Sequence, residues 1–287
     1  MALLTAIVWA IAVVLFKKSG ETVHPVGLNL FKNMLAAALF LPTIWLWGGK
    51  LLHDAPAWDY LLLLLSGALG IGIADTLFFH CLNRLGAGLT AIVDCLYSPF
   101  IIGLSMIWLG DVLSVWQIVG VMLIISAVLT AARPRGENGP DRRNLMLGLT
   151  YGALAVALMA IGVVIAKPVL DRAPLLWVTE IRLIGGVAIL WINLAFHPGR
   201  RQIVRSVFAS TGRIYTVTGS LVGGYLAMVM WLAGMKFTQV STAAALNQTN
   251  NIFIFIFAAL FLKERIDLPR TIGIILAVGG AFLVTFA

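Results

Sequence analysis

Polar side chains that could bind a solute occur inside stretches that are otherwise apolar. Five of them follow one another at residues 247–251 (NQTNN), where they open an apolar stretch that ends at residue 262. Every amide donor and acceptor in hydrocarbon needs a partner. Because residues three and four apart share one helix face, we expect Asn247, Asn250 and Asn251 to line a common surface. Their chemistry is hydrogen bonding to water or to a polar solute.

Charged residues also lie inside apolar stretches, at a cost of roughly 2.5–3.5 kcal/mol each, and such residues usually face a protein interior or a water-filled cavity. At a rise of about 1.5 Å per residue, Lys32, Asp75 and Asp94 come to a similar depth, about 8–12 Å from one membrane face. Glu180 and Arg182 lie five to seven residues inside another stretch. We therefore predict a central polar cavity in which the partners of the amides are water, the substrate, or Glu180 and Arg182. The alternative is that Lys32, Glu180 and Arg182 form structural pairs or extend toward an interface.

The composition identifies the surroundings of these residues as a membrane. The chain has 287 residues, of which 61% are hydrophobic and 11% are charged, against about 45–50% and about 25% in soluble domains. The net charge of +8 fits the Lys/Arg excess of cytoplasmic loops as well as it fits a nucleic-acid partner, and we find no nucleic-acid-binding motif. Cys81 and Cys95 support neither a disulfide framework nor a metal site. No nucleophile–base set or cofactor motif is present, so we expect no enzyme activity, no cofactor and no metal.

A bilayer requires about 20 apolar residues per helix. A window of that size predicts ten spans, joined mostly by short connections, at residues 2–17, 25–47, 59–80, 86–108, 113–132, 145–166, 175–196, 214–235, 239–262 and 268–286. The predicted fold is therefore an all-α integral membrane protein with ten transmembrane helices. We name the face at which the first span begins side A and the opposite face side B.

The second half of the sequence repeats the first. Residues 108–129 align with 261–282 at an offset of 153, which pairs Gly120 with Gly273, and Lys32 pairs with Arg182 at an offset of 150. The offset of 153 also pairs Asp94 with Asn247 and Tyr97 with Asn250, which adds Tyr97 to the predicted site. The predicted organisation is repeat 1 at 1–133, a linker at 134–143 and repeat 2 at 144–287. Five spans is an odd number, so the repeats are inverted relative to each other, as in many transporters.

With this layout the chain resembles the EamA-type branch of the drug/metabolite transporter superfamily. The resemblance rests on Trp9 in the first span, on "LGD" (109–111) and "LKER" (262–265) at the ends of the fourth and ninth spans, and on the glycine-bearing fifth and tenth spans. It covers essentially the whole chain. It implies export or exchange of small metabolites, and we include Trp9 among the substrate-binding candidates.

The distribution of positive charge bears on orientation. Side B carries fourteen of the 20 Lys and Arg residues and side A carries four. The positive-inside rule then makes side B cytoplasmic and places both termini outside, whereas the family resemblance implies both termini inside. The apparent absence of a targeting segment and the compact loops suggest a bacterial inner membrane.

The expected function is secondary transport by alternating access of a small polar or amphipathic metabolite, zwitterionic or cationic. We expect an exporter, with Asp75, Asp94 and Glu180 as proton-coupling candidates. The alternatives are an uncoupled uniporter or exchanger, or a non-transport protein such as a lipid scramblase or an assembly factor. The expected partners are the small-molecule substrate and membrane lipids, without nucleic acid, in a monomer or homodimer.

Overall fold

The protein was analysed as a computed structural model, which describes residues 2–47, 53–109, 114–131, 141–209, 211–230 and 249–286. All regular secondary structure within these ranges is helical. The helices of repeat 1 are α1 (Ala2–Ser19), α2 (Pro25–Leu46), α3 (Ala57–Leu85), α4 (Ala87–Asp94), α5 (Tyr97–Leu109) and α6 (Val115–Ala131). The helices of repeat 2 are α7 (Arg142–Leu170), α8 (Leu175–Phe196), α9 (Arg200–Ala209), α10 (Arg213–Gly219, continuing as Ser220–Leu226), α11 (Asn250–Leu262) and α12 (Leu268–Phe286).

Several of the described helices are suited to a bilayer. Five of them, α2, α3, α7, α8 and α12, are long and apolar enough to cross a membrane, and shorter apolar helices cover Ala87–Ile101, Val115–Ala131 and Asn250–Leu262. The predicted all-helical membrane fold is confirmed. The number ten stays a prediction, because part of the ninth predicted span (239–262) lies outside the described residues.

Local sequence signals explain where several helices begin. Pro25 occupies the first turn of α2, where its missing N–H costs no hydrogen bond, and His24 Nδ1 accepts the Val26 N–H at 3.3 Å. Ser114 and Gln117 form a reciprocal capping box at α6, with N···O distances of 3.1 and 3.0 Å. The Asp141 carboxylate caps α7 through the Asn144 N–H at 2.6 Å.

The helix contacts show that the two repeats are inverted. A Cβ on Gly120, near the start of α6, would lie 2.7 Å from the Gly280 carbonyl oxygen, near the end of α12. A Cβ on Gly273, near the start of α12, would lie 3.3 Å from the Ala127 carbonyl oxygen, near the end of α6. At the offset of 153 these two contacts are images of each other. They show that the equivalent helices α6 and α12 run antiparallel. Small residues allow the two backbones to approach this closely.

Each repeat also contains a π-helical segment, which the sequence did not predict. The segments are Ala68–Ile73 within α3 and Ser220–Leu226 within α10, at equivalent repeat positions. Gly162 of α7 packs on Gly70 in the first segment, and Ala12 of α1 packs on Gly223 in the second. These contacts are again related by the repeat, since Ala12 and Gly162 are 150 residues apart. π-Helical turns often occur at functional sites.

Candidate functional site

Lys32 and Asp75 form an ion pair between α2 and α3. Lys32 Nζ binds Asp75 Oδ2, and Lys32 is only 5% exposed. The ammonium also lies 5.5 Å from the centroid of the Phe79 ring, in a cation–π contact. Asp75 follows the π segment of α3 by two residues, so the irregular backbone and the buried charges are in the same part of the membrane. The similar depth expected for these two residues agrees with their contact.

Two buried asparagines of α2 extend this polar face. Asn29 Nδ2 donates to the carbonyl oxygens of Ile71 at 3.0 Å and Gly72 at 2.9 Å, and Asn33 Nδ2 donates to Asn29 Oδ1 at 2.7 Å. The first two contacts satisfy carbonyl groups at the end of the π segment. Sequence reasoning missed both asparagines. The available signal was the spacing of Asn29, Lys32 and Asn33, which places all three on one helix face.

Arg182 occupies the equivalent position in repeat 2. Its backbone passes so close to α3 that a Cβ on Gly67 would lie 1.8 Å from the Arg182 carbonyl oxygen. Its guanidinium reaches Gly70 of the π segment, with Nη2 3.6 Å from the position of a Cβ on Gly70. It lies within electrostatic range of Tyr97 and Asp75. Arg182 Nε is buried and has no hydrogen-bond partner in the described part of the chain.

The third part of the site is a break in the helix of the fourth predicted span. α4 ends at Asp94 and α5 begins at Tyr97, so Cys95 and Leu96 interrupt the helix. Asn251 hydrogen-bonds to the Asp94 side chain, and its Nδ2 lies 3.3 Å from Cys95 Sγ. Asp94 and Arg182 both lie within electrostatic range of Tyr97. Broken helices at a repeat interface are typical of transporter binding sites.

α11 begins at Asn250, the repeat position of Tyr97, where α5 begins. The start of a helix leaves backbone N–H groups unsatisfied. Asn250 and Asn251 are buried, and the Oδ1 atoms of both have no hydrogen-bond partner among the described residues. Asn251 faces the helix break of repeat 1, since its contacts are with Asp94 and Cys95. Asn247 lies outside the described residues.

The structure joins six of the predicted site residues into one network, here called the polar network: Lys32, Asp75, Arg182, Tyr97, Asp94 and Asn251. Its side chains come from both repeats. The two cations and two carboxylates balance each other, which lowers the cost of burying them. The partners of Asn251 within the described residues are Asp94 and Cys95, which sequence reasoning did not name as partners of the amides.

The remaining predicted residues are placed differently. Glu180 is 2% exposed, and its Oε2 has no hydrogen-bond partner within the described ranges. It is two residues from Arg182 and therefore on a different face of α8. Trp9 is partly buried and packs against the main hydrophobic core, which includes Phe16 and Ile254. In the described part of the chain no group of three or more His, Cys, Asp or Glu could hold a metal ion.

Glu264 makes a contact across the repeats at side B that sequence reasoning also missed. The Glu264 carboxylate accepts the N–H groups of Ala87 at 2.7 Å and Gly88 at 3.0 Å. It thereby caps α4 from 177 positions away along the chain. A carboxylate at a helix start also complements the helix dipole. At side A, Arg172 Nη2 donates to Asp59 Oδ1 at 2.6 Å, so cross-repeat contacts occur at both membrane faces.

Histidines meet at side B, at the turn between α1 and α2. The His24 ring centroid lies 5.9 Å from that of His80 and 5.8 Å from that of His197. Partial burial lowers the pKa of His24, and the neighbouring His197 lowers that pKa further. The neutral form of His24 is therefore favoured in the folded protein.

Comparison with known proteins agrees with this arrangement. The model of the EamA-like transporter family matches residues 1–133 and 146–286. An "Uncharacterized transporter" of Archaeoglobus fulgidus is 25% identical over 282 residues, which cover 96% of this chain and 92% of the relative. "Uncharacterized transporter YetK" of Bacillus subtilis is 28% identical over 138 residues, 47% of this chain and 40% of the relative.

One solved protein has a similar fold. A crystal structure titled "Crystal structure of protein" superposes with a TM-score of 0.69 and 17% sequence identity, covering 98% of this chain and 94% of that one. At this identity the similarity concerns the fold alone. The family model covers both repeats and the relatives are named as transporters. The chain is therefore an integral membrane transporter and belongs to the EamA-like transporter family.

Proposed function

We propose that this transporter moves a small zwitterionic or cationic metabolite by alternating access, and that the polar network is its binding site. The supporting observation is that buried polar groups of both repeats converge at the π segments and at the break between α4 and α5. Arg182 and Tyr97 would bind the carboxylate of an amino-acid-like solute, and Asp94 would bind its amino group. Arg182 Nε, buried without a hydrogen-bond partner among the described residues, is a donor for such a carboxylate.

Alternating access requires two inverted units that rearrange around one site. The π segments are suited to this because a helix with altered hydrogen-bond register bends more easily than a regular α-helix. Glu264 at side B and Asp59–Arg172 at side A are contacts that would break and form again as each face opens. We infer export as the direction and the bacterial inner membrane as the location, in line with the family.

Proton coupling is part of the proposal, and Glu180 is its first candidate. Its Oε2 is buried without a hydrogen-bond partner in the described residues, whereas Asp75 is paired with Lys32 and Asp94 with Asn251. Proton uptake at Glu180 would remove an unpaired buried charge and leave the polar network unchanged.

Proteoliposomes loaded with a radiolabelled mixture of neutral and basic amino acids test the function. We expect counterflow of label in the wild type and loss of counterflow in Tyr97→Phe and Asp94→Asn. Efflux of label should be faster when the external medium is more acidic than the lumen, because proton entry then drives solute exit. In Glu180→Gln, counterflow should remain while the effect of the pH gradient disappears. Counterflow unaffected by a pH gradient in the wild type identifies an uncoupled exchanger. If Tyr97→Phe and Asp94→Asn both keep counterflow at the wild-type rate, the polar network is not the binding site.

A further inference from the structure

The connection between α8 and α10 contains a short amphipathic helix with a fixed orientation. α9 buries Ile203 and Val207 against the start of α2, where a Cβ on Gly27 would lie 2.8 Å from Val207 Cγ2. The His24 N–H donates to Ser206 Oγ at 3.2 Å, which ties the same side of α9 to the turn before α2. α9 is thus held against the transmembrane helices, and its opposite face is exposed within the described part of the chain.

The outward face of α9 and the end of α8 form an open groove of about 560 Å³. Its lining is apolar apart from three arginines: Trp191, Leu194, Ala195, Arg200, Arg201, Val204, Arg205, Phe208 and Ala209. Arg201 and Arg205 are exposed, and no carboxylate of the described residues pairs with either of them. Arg200 Nη1 donates to the Ala195 carbonyl at 3.2 Å. The groove therefore combines an apolar floor with an uncompensated positive rim.

The position of the groove identifies its occupant. α8 is a membrane-crossing helix that ends at Phe196, which is 85% exposed, and Trp191 lies in its last two turns. Tryptophan at a helix end is typical of the membrane–water interface. Amphipathic helices with arginine on the polar face and large apolar side chains lie in this interface and bind anionic lipids. A free anion would gain nothing from the apolar lining, whereas an acyl chain would cover it.

We propose that the groove between α8 and α9 binds an anionic phospholipid, with the phosphate at Arg201 and Arg205 and an acyl chain along Trp191, Leu194 and Phe208. This site is separate from the polar network. It also makes side B the face that recognises anionic headgroups, in agreement with the arginine excess of that face.

Native mass spectrometry of the full chain in neutral detergent, titrated with phosphatidylglycerol or phosphatidylcholine, tests the proposal. The test variant is the double substitution Arg201→Gln/Arg205→Gln. The control is Arg142→Gln/Arg143→Gln, which removes the same charge from two exposed arginines of α7 on the same face. At about a fivefold loss per arginine, we expect the test variant to bind phosphatidylglycerol about 25-fold more weakly, and the control to bind it like the wild type.

A second variant, Phe208→Ser, examines the acyl-chain contact. It should weaken phosphatidylglycerol binding and leave the affinity for inorganic phosphate, measured without lipid, unchanged. Equal affinity for the two lipids, equal losses in the test and control variants, or complete displacement of lipid by millimolar phosphate would each overturn the proposal. Melting temperatures of all variants in neutral detergent verify that they are folded.

Discussion

Single and double substitutions of the Lys32–Asp75 ion pair distinguish a structural role from a role in transport. Asp75→Asn would leave the Lys32 ammonium buried without its carboxylate. Breaking a buried pair costs about 3–5 kcal/mol. The Asp75 side chain is 17% exposed and that of Lys32 is 7% exposed, so partial solvation of Asp75 favours the lower end, about 3 kcal/mol. At about 2–4 °C per kcal/mol this corresponds to a melting temperature about 6–12 °C lower.

The double variant Lys32→Met/Asp75→Leu removes both charges and keeps most of the side-chain volume. Replacement of a buried ion pair by apolar residues is often neutral or stabilising. We therefore expect its melting temperature in detergent to return to the wild-type value or above. Solute counterflow in proteoliposomes should nevertheless be absent in the double variant, because the binding site has lost two polar groups. A double variant that regained both stability and transport would refute the role of this pair in transport.

Three further predictions concern other parts of the fold. Glu264→Ala removes the cap of α4 and should cost about 1–2 kcal/mol, measured by thermal unfolding; an unchanged melting temperature would contradict the capping role. Gly67→Ala should destabilise by about 3 kcal/mol or more, because its Cβ would meet the Arg182 carbonyl oxygen. Gly103→Ala should be neutral or slightly stabilising, because no atom of the described residues lies within 4 Å of the added Cβ. The pKa of His24 is lowered on folding from its usual 6.5, so the free energy of unfolding should fall as the pH drops below about 6.5. His24→Asn keeps a capping side chain and should reduce this loss. A variant with the same pH profile of stability as the wild type would contradict the role of His24.

The inverted architecture could be predicted from the sequence because it depends on features that hydropathy records. The odd number of spans predicted for each repeat implies the inversion. The offset of 153 relates Gly120 to Gly273, which the structure places in equivalent contacts of α6 and α12. Depth alone predicted that Lys32 and Asp75 lie at a similar level in the membrane, since a helix rises by a constant amount per residue. These inferences need only the length of an apolar stretch and a position within it.

The details of the site depend on contacts that a linear pattern does not encode. The π segment of α3 follows from hydrogen-bond register, which Asn29 stabilises from a neighbouring helix. Glu264 reaches Ala87 only because the repeats fold together. The predicted spans left α9 out of the connection between α8 and α10. This helix forms because Ile203 and Val207 at i and i+4 can pack on α2. Asn251 pairs with Asp94 rather than with Arg182, because the helix break of α4 faces the start of α11.

The central claim is that the polar network binds the transported solute. The most direct measurement is the thermal stabilisation of purified wild-type protein by the amino acid that gives counterflow, compared with Arg182→Gln and with the control Arg142→Gln. At one hundred times the dissociation constant, stabilisation should be about 2.7 kcal/mol in the wild type and in the control. Arg182→Gln should show a loss of affinity of tenfold or more. Equal stabilisation of all three proteins would contradict the claim.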